Sequence, residues 1–369
     1  MPRNLTLPLA TLVVLGACAD ATPTAVEPTG VPTAASAKRD EPLAQASVSV
    51  VMSNLDSPRG LAWGPEGALY VVEAGNGTVN GPCVASPRGP ICYSATGAVT
   101  RLWKGQQERV ASGLPSVIRT QINDITGPHD ISFQGKGNAF VTIGWGAEPR
   151  LREGLGDFGH LFGRTIRVTP NGSWDLEADI SSFEDAENPD GGPRDSNPYG
   201  ILAEAGHQLV TDAGGNSLVQ VTANGRVSLV SIFPKTPGGA EPVPTEVVRG
   251  PDGSLYVSTL TGAPFVAGAA GIWRVVPGGA PQLAAGNFKT ITDFDIGPDG
   301  SLYVLQYASA PMFFGQPGLL IRVSPAGVRD TLHSSLTNPT GVLVGPDGAI
   351  YVSNRGNVAS VGEVLRIVP

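Results

Sequence analysis

The stretch Gly345-Pro346-Asp347-Gly348-Ala349-Ile350-Tyr351-Val352 is one of several close copies in this chain. Each copy predicts a tight turn followed by a short strand. Pro fixes φ for the turn, Gly adopts the positive φ that the turn needs, and the apolar-Tyr-Val run suits a pleated sheet. A unit that recurs in this way predicts a repeat architecture. The other clear copies begin at Gly64, Gly250 and Gly297, and two weaker copies begin at Gln134 and Glu204.

Each of the six units contains three further signals. A strand begins about six residues before the turn, as at Asn338-Pro339-Thr340-Gly341, and an apolar-Arg-Val run follows the Tyr-Val strand, as at Leu365-Arg366-Ile367. A fourth strand closes most units, as at Val227-Ser228-Leu229-Val230. Four antiparallel strands in each of six units predict an all-β chain folded as a six-bladed β-propeller.

The two ends of this repeat region complement each other. The last unit stops at Val368-Pro369, directly after its third strand, and an unassigned strand at Ala46–Met52 precedes the first unit. We expect this N-terminal strand to complete the last blade, because that pairing closes the ring and removes an exposed sheet edge.

The N-terminus predicts a targeting segment. Arg3 precedes an apolar run from Leu5 to Gly16 that is too short to span a bilayer, and Leu15-Gly16-Ala17-Cys18 resembles a bacterial lipobox. We therefore expect a lipoprotein signal peptide at 1–17, lipid on Cys18, a flexible tether at 18–45 and the propeller at 46–369. The alternative is an ordinary cleaved signal. Either way the protein is exported, and the lipoprotein would be membrane-anchored, facing the periplasm or the cell exterior.

Composition and cysteine spacing agree with an exported β protein. The 369 residues include 49 Gly and 33 Pro, and the net charge of −8 argues against a nucleic-acid partner. Apart from Cys18, the chain has Cys83 and Cys92, nine positions apart in a Gly/Pro-rich segment. In an oxidising compartment this pair predicts a disulfide, since no His or further Cys stands near to favour a metal site.

Two insertions enlarge the early units. The first, at about 75–97, carries the cysteine pair, and the second runs from 146 to 164 with a polar stretch at 175–196 in the same unit. Insertions in repeat arrays map to loops on one face, which is often the binding face. We expect a helical turn within Glu148–Leu161.

The repeat region resembles two related groups of propellers. The segment from Asn197-Pro198-Tyr199-Gly200 to Val210-Thr211-Asp212 is similar to an NHL repeat. From about Ser47 to Pro369 the chain resembles the ScyD/ScyE family, on the segments Pro58–Pro65, Gly81–Cys83, Thr96–Arg101, Gly127–Asp130 and Asn188–Gly200. The resemblance implies an NHL/TolB-like β-propeller and implies no established reaction.

The repeat alignment predicts which side chains meet in the central channel. One set of equivalent positions, near the start of each first strand, contains the carboxylates Asp130, Glu246 and Asp293, with glycines in the other three units. The preceding position contains Arg59 and His129. A second set, at the end of the Tyr-Val strand, contains Glu73 and Asp212. These residues are the candidate ligand or metal site.

Two interpretations of the three carboxylates stay open. Crowded carboxylates favour a hard divalent cation with oxygen ligands, Ca²⁺ before Zn²⁺, with His129 as a further ligand or a general base. Alternatively, the carboxylates accept hydrogen bonds from backbone N–H groups of neighbouring blades, or Arg59 neutralises one of them. The acidic loop with Asp185, Glu187 and Asp190 misses the EF-hand spacing and is typical of a solvated loop.

The function that we expect is binding or scaffolding in the cell envelope by a monomer. The partner would be an unidentified small molecule or an envelope protein. The alternative is a metal-dependent hydrolase or lactonase with its site in the channel, so the sequence leaves enzymatic activity open. Carbohydrate binding is a third hypothesis, and it needs exposed aromatic rings, for which Trp145 and Trp174 are the candidates.

Overall fold

The structure, a computed structural model, describes residues 46–135, 137–276, 278–310 and 315–369. The predicted signal peptide, Cys18 and most of the tether lie outside these residues. Within the described part, strands dominate, and the helical elements are a 3-10 segment at Pro149–Leu161 and α1 at Ile180–Glu187. No helix of the described residues is long and apolar enough to cross a bilayer.

The strands of the described residues are numbered in chain order. They are β1 (Ser47–Leu55), β2 (Pro58–Trp63), β3 (Leu69–Glu73), β4 (Cys83–Val84), β5 (Ile91–Tyr93), β6 (Gly97–Trp103), β7 (Gln106–Leu114), β8 (Val117–Arg119), β9 (Asp124–Thr126), β10 (Pro128–Gln134), β11 (Asn138–Ile143), β12 (Arg164–Val168), β13 (Trp174–Asp179), β14 (Pro198–Glu204), β15 (His207–Asp212), β16 (Ser217–Thr222), β17 (Val227–Ile232), β18 (Pro244–Arg249), β19 (Leu255–Thr259), β20 (Ala270–Val275), β21 (Gln282–Phe288), β22 (Ile291–Ile296), β23 (Leu302–Gln306), β24 (Gly318–Val323), β25 (Arg329–Leu336), β26 (Gly341–Val344), β27 (Ile350–Asn354) and β28 (Gly362–Val368).

These strands form seven four-stranded antiparallel sheets within the described residues. Six sheets follow the repeat, with orders β2-β3-β6-β7, β10-β11-β12-β13, β14-β15-β16-β17, β18-β19-β20-β21, β22-β23-β24-β25 and β26-β27-β28-β1. In the last of these, the N-terminal strand β1 pairs with β28, and Ser47 lies opposite Val368. The sequence prediction placed the N-terminal strand beside this same C-terminal strand.

Successive sheets pack against each other through their first strands and their faces. Strand β2 contacts β10, and the contacts continue through β14, β18, β22 and β26, which contacts β2 again. Apolar clusters fill the spaces between neighbouring sheets: one joins Leu61 and Val71 to Tyr351, and another joins Val304 to Ile272. The arrangement is consistent with a β-propeller, in which apolar sheet faces are buried against each other.

Contacts within the repeated turn account for its sequence. In the last unit the N–H of Gly348 (φ 77°) donates to the carbonyl of Gly345 at 3.0 Å, which closes the turn. A Cβ on Gly345 would lie 2.6 Å from Cε2 of Tyr351, so only glycine fits beside this ring. Asp347 accepts hydrogen bonds from the Tyr351 hydroxyl at 3.1 Å and from Arg366 at 2.7 Å. The turn, the Tyr-Val strand and the apolar-Arg-Val strand therefore form one network.

The same network recurs in three other units, which accounts for the shared sequence. An acidic turn residue pairs with an arginine of the third strand, at distances of 2.8–3.3 Å in the pairs Glu66–Arg101, Asp252–Arg274 and Asp299–Arg322. These pairs are partly exposed, so each one contributes little more than positioning of the turn.

The insertions are more ordered than the sequence analysis predicted. The segment 75–97 was expected to form a loop, but it contains β4 and β5, which combine with β8 and β9 in a seventh sheet outside the repeat. Similarly, the polar stretch at 175–196 contains α1, whose first turn Asp179 caps by accepting from the N–H of Ser182 at 2.9 Å. The helical turn that we expected within Glu148–Leu161 is the 3-10 segment, interrupted at Gly156 (φ 59°).

Candidate functional site

Three carboxyl groups lie at equivalent positions of first strands, as the repeat alignment predicted. Asp130 on β10, Glu246 on β18 and Asp293 on β22 are buried, with 6%, 9% and 6% of their surface exposed. Glycines in neighbouring first strands make room for them. A Cβ on Gly60 would collide with Oδ1 of Asp130, and one on Gly200 would lie 2.9 Å from Oε2 of Glu246. Glycine is therefore required beside Asp130 and beside Glu246.

Each carboxyl group accepts backbone hydrogen bonds, and two of them do so across a sheet boundary. Oδ2 of Asp130 accepts from the N–H of Ile201 at 2.9 Å, and Oδ2 of Asp293 accepts from the N–H of Val342 at 2.7 Å. Both donors directly follow a glycine of the next sheet. Oε1 of Glu246 accepts from the N–H of Val247, its own neighbour, at 2.8 Å. The alternative in which these carboxylates bond to backbone N–H groups of neighbouring sheets thus describes Asp130 and Asp293.

All three carboxyl groups have raised pKa values. Burial raises the pKa of Asp130 to about 7, although hydrogen bonds from backbone N–H groups oppose the rise. Burial and the nearby negative charges of Asp130 and Asp293 raise the pKa of Glu246 well above its usual range. Burial and the negative charges of Asp130 and Asp295 also raise the pKa of Asp293 well above its usual range. The hydrogen bond between the two side chains raises the pKa of Glu246 and lowers that of Asp130, so the Glu246 carboxyl group donates and the Asp130 carboxylate accepts.

A second layer, one residue earlier in the strands, contains a cation and two rings. The guanidinium of Arg59 donates to the backbone carbonyls of Gly356 and Ile125, the latter at 2.9 Å, instead of pairing with a carboxylate of the first layer. The ring of His129 stacks on that of Tyr199, with 4.6 Å between their centroids. Tyr199 belongs to the same aligned position, and its role was missed because the alignment singled out charged residues.

The protonation state of His129 follows from its surroundings. Nδ1 lies 3.1 Å from the carbonyl oxygen of Pro198, which can only accept, so Nδ1 carries the proton and Nε2 keeps a lone pair. Burial, reinforced by the positive charge of Arg59, lowers the pKa of His129 to about 3. The imidazole is therefore neutral across the physiological pH range. Its Nε2 lone pair can accept a hydrogen bond, and burial and Arg59 oppose its protonation as long as no negative charge forms nearby.

The second predicted set does not join this group. Both carboxylate oxygens of Glu73 accept hydrogen bonds, among them from the N–H of Asp56 at 2.6 Å and from Arg109 at 2.6 Å. Asp212 accepts from the N–H of Asn197 at 2.6 Å and from the Ser196 hydroxyl at 2.8 Å. Each side chain thus ties down the loop that leads into its own sheet.

The same anchoring recurs in two later units with uncharged side chains. Oε1 of Gln306 accepts from the N–H of Lys289 at 2.7 Å, and Oδ1 of Asn354 accepts from the N–H of Thr337 at 2.8 Å. Because amides replace carboxylates at this position, the negative charge is dispensable there. The position serves the loop geometry.

Backbone N–H donors already occupy most of the carboxyl oxygens that the predicted divalent cation would use. Oδ1 of Asp293 accepts from the N–H of Phe294 at 2.7 Å, so both of its oxygens serve backbone donors, as does one oxygen of each partner. Among the described residues, no group of three or more His, Cys, Asp or Glu side chains is arranged to hold a metal ion. We therefore derive no chemical step through a metal.

The remaining candidates are the predicted disulfide and the two tryptophans considered for carbohydrate binding. Cys83 and Cys92 form a disulfide with an S–S distance of 2.00 Å, as predicted, and it joins β4 to β5. The indole of Trp145 is fully buried and donates to the carbonyl of Glu148 at 2.9 Å, so it cannot stack on a sugar. Trp174 is half-buried.

Comparison with known proteins supports the fold. No protein-family profile matches the chain, and no curated protein matches it. Among solved structures, similarity extends to a gluconolactonase from Xanthomonas campestris, at 11% identity over 87% of this chain and 90% of the other, with a TM-score of 0.52. A glucose dehydrogenase matches at 14% identity over 88% and 99%, with a TM-score of 0.52. A Bacteroides thetaiotaomicron protein of unknown function matches at 10% identity over 88% and 76%, with a TM-score of 0.53.

These similarities define a class. The chain is an all-β protein of seven four-stranded antiparallel sheets, within the described residues, whose arrangement is consistent with a β-propeller. At identities of 14% or less, the likeness extends to the fold alone.

Proposed function

We propose that six of the seven sheets are the blades of a closed six-bladed propeller of the ScyD/ScyE type. The contact of β26 with β2 and the pairing of β1 with β28 support this architecture. In such a propeller the first strands line the channel, so the layers that contain Asp130 and His129 lie on its wall.

We further propose that the protein is a hydrolase of small lactones or esters, and that no metal takes part. One observation carries this proposal. Two consecutive residues of β10 have pKa values displaced in opposite directions, with His129 at about 3 and Asp130 at about 7. Groups whose surroundings separate their pKa values in one site supply a base and an acid at the same pH. The gluconolactonase among the similar structures supports a lactone as substrate.

The reaction would proceed by acid–base catalysis. Nε2 of His129 accepts a proton from water while the water oxygen attacks the carbonyl carbon of the lactone. The positive charge of Arg59 stabilises the oxyanion that forms, and this oxyanion offsets the repulsion between Arg59 and the new imidazolium. The ring C–O bond then breaks, and the Asp130–Glu246 pair donates its proton to the leaving alkoxide. Return of the proton from His129 to the carboxyl pair completes the hydrolysis to a hydroxy acid.

The pH dependence of this reaction follows from the two shifted groups. The base is available above about pH 3 and the acid below about pH 7, so the rate should be maximal between these values and fall in neutral to alkaline solution. A metal-dependent hydrolase that generates hydroxide would show the opposite trend in this range.

The test uses purified protein and a panel of γ- and δ-lactones of sugar acids, followed by proton release. Replacing His129 by Gln or Asp130 by Asn should lower kcat at least about a hundredfold, the usual contribution of a general acid or base. The matched control is His160→Gln, since His160 is exposed in the 3-10 segment. Binding of lactones without turnover would reject the hydrolase in favour of a binding or scaffold protein. Turnover that is unaffected by His129→Gln would reject His129 as the base.

We also propose that the protein is exported and anchored through lipid on Cys18, which the Leu-Gly-Ala-Cys pattern supports. The full-length chain should partition into detergent, and Cys18→Ser should move it to the aqueous phase. Equal partitioning of the two chains would reject the anchor.

A further inference from the structure

A buried carboxylate outside the channel layers has no partner. Glu184 on α1 is 1% exposed, and neither of its carboxylate oxygens has a hydrogen-bond donor. By contrast, the equally buried Glu73 accepts from backbone, hydroxyl and guanidinium donors. An ionised carboxylate that is buried without a counter-charge is strongly unfavourable, so Glu184 requires either a bound proton or a bound cation.

More partnerless oxygens surround the same place. Oδ1 of Asp195 and Oδ1 of Asn188 are also buried without hydrogen-bond donors. Asn188 caps α1 one turn after Glu184, and its N–H donates to the carbonyl of Glu184 at 3.0 Å. Four oxygen atoms on three side chains are thus unsatisfied within one short region, although buried polar atoms are satisfied almost everywhere in folded proteins.

The turn Gly214-Gly215 lies against two of these groups, the carboxylates of Glu184 and Asp195. A Cβ on Gly215 would lie 2.7 Å from Oε2 of Glu184, and one on Gly214 would lie 2.8 Å from Oδ1 of Asp195. The N–H groups of both glycines already donate to Oδ1 of Asp212, at 3.1 Å each. They are therefore not available to the carboxylates of Glu184 and Asp195, whose oxygens pack directly against the two glycines.

The charge around this space is negative. The carboxylates of Asp212, Asp190 and Asp195 lie close enough to Glu184 to repel a negative charge on its side chain. The nearby cations are engaged elsewhere or distant: Arg194 donates to the carbonyl of Asp185 at 2.9 Å, and Arg88 approaches Asp195 only to 3.9 Å. The region therefore favours an added positive charge.

We propose that a divalent cation of the Ca²⁺ type binds between the end of α1 and the Gly214-Gly215 turn, with ligands from Glu184, Asp195 and Asn188. All the available donors are oxygens, which Ca²⁺ prefers and Zn²⁺ does not require. Water and backbone carbonyls would complete the six to eight ligands usual for Ca²⁺. The site contains two carboxylates and one carboxamide, so it differs from the clusters of three acidic or His and Cys groups that the described residues lack.

This cation would have a structural function independent of the proposed hydrolase. It would fasten α1 to the turn between β15 and β16, where Asp212 already holds the loop that leads into the third repeat sheet. The insertion-bearing part of the molecule would therefore become more stable when Ca²⁺ is present, without any change in the catalytic groups.

The experiment is a Ca²⁺ titration of EDTA-treated, full-length protein, followed by calorimetry and thermal melting. We expect one Ca²⁺ per chain and a rise in Tm of about 5 °C at a hundredfold excess over Kd. Glu184→Gln, which keeps the shape and removes the charge, should abolish both effects. The matched control is Asp185→Asn on the same helix, where Asp185 is paired with Arg150, and it should respond like the unmodified protein.

Three results would overturn the proposal. Unmodified protein that neither binds Ca²⁺ nor gains stability from it would mean that Glu184 is simply protonated. Glu184→Gln that still binds Ca²⁺ with unchanged Kd would place the ion elsewhere. Loss of Ca²⁺ binding in Asp293→Asn, with binding retained in Glu184→Gln, would show that the ion binds beside Asp293 instead. None of these readouts depends on lactone hydrolysis, so either proposal can be wrong while the other is right.

Discussion

Replacing Asp130 by Asn should make the protein more stable at pH 8 while changing little at pH 4. Asparagine has the same shape, its Oδ1 can accept from the N–H of Ile201 as Asp130 does at 2.9 Å, and it cannot ionise. The unmodified side chain, in contrast, must lose a proton inside the protein as the pH rises. The difference between the two chains therefore isolates the free energy of that ionisation.

The magnitude follows from linkage. The pKa of Asp130 rises from 3.8 to about 7 on folding, so the unfolded chain ionises first as the pH increases. The stability that the protonated group contributes is complete below pH 3.8 and is lost progressively up to about pH 7. At about 1.36 kcal/mol per pKa unit, the loss is about 4 kcal/mol by pH 8. Burial also raises the pKa values of Asp212 and Asp295, each to about 6, so the unmodified protein should lose further stability in the same direction.

The assay is urea unfolding of both chains at pH 4 and pH 8, with thermal melting in parallel. The advantage of Asp130→Asn should grow by about 4 kcal/mol between the two pH values, which corresponds to roughly 8 °C or more in Tm. Asp252→Asn is the control, because Arg274 and a backbone N–H lower the pKa of that exposed carboxyl to about 2 and its ionisation favours folding. If the free-energy difference between Asp130→Asn and the unmodified protein is the same at both pH values, the buried-carboxyl interpretation is wrong.

Three further predictions concern packing, the disulfide and the loop anchors. Gly60→Ala should lower the free energy of unfolding by about 1–3 kcal/mol, since the new Cβ would lie 2.8 Å from Cα of Asp130. The control Gly238→Ala, in open space, should change it by less than about 0.5 kcal/mol. Equal urea midpoints of the two variants would refute this prediction. Cys83→Ser should cost about 2–3 kcal/mol and expose the segment 75–97 to limited proteolysis, and unchanged cleavage would mean that the β4–β5 pairing needs no cross-link. Glu73→Gln should lower the free energy of unfolding in urea by about 1–3 kcal/mol, because the guanidinium of Arg109 loses its buried anionic partner. If the variant is as stable as the unmodified protein, an amide serves equally well in this unit, as it does in the later ones.

The repeat could be predicted because its information is local. In Gly345–Val352 the turn, the ring against the glycine and the strand are all decided within eight residues, and the partner Arg366 belongs to the apolar-Arg-Val run that follows in the same unit. The seventh sheet could not be predicted in this way. Its strands β4 and β5 have two and three residues, too few for an alternating pattern, and they pair with β8 and β9 beyond the whole of β6 and β7.

The candidate site, too, could be predicted only in part from the sequence. Aligned repeats share a register, so Asp130, Glu246 and Asp293 could be assigned to one position of the first strands from sequence. Their atomic partners could not, because the N–H of Ile201 and that of Val342 belong to other sheets. Glu184 had no sequence signal at all. It lies in an inserted helix without a counterpart in the other units, and its partnerless oxygens appear only in three dimensions.

The mixture of three glycines and three carboxyl groups at one level of the first strands breaks the symmetry of the repeat. Six carboxylates at that level would repel one another and lack donors, whereas a glycine leaves both the volume for a neighbour's carboxyl and the approach to the N–H that follows it. Gly200 does both, since it faces Glu246 and precedes Ile201, the donor to Asp130. A side chain in place of Gly200 would therefore disturb two carboxyl groups at once, since it would press on Glu246 and shift the N–H that Asp130 accepts from.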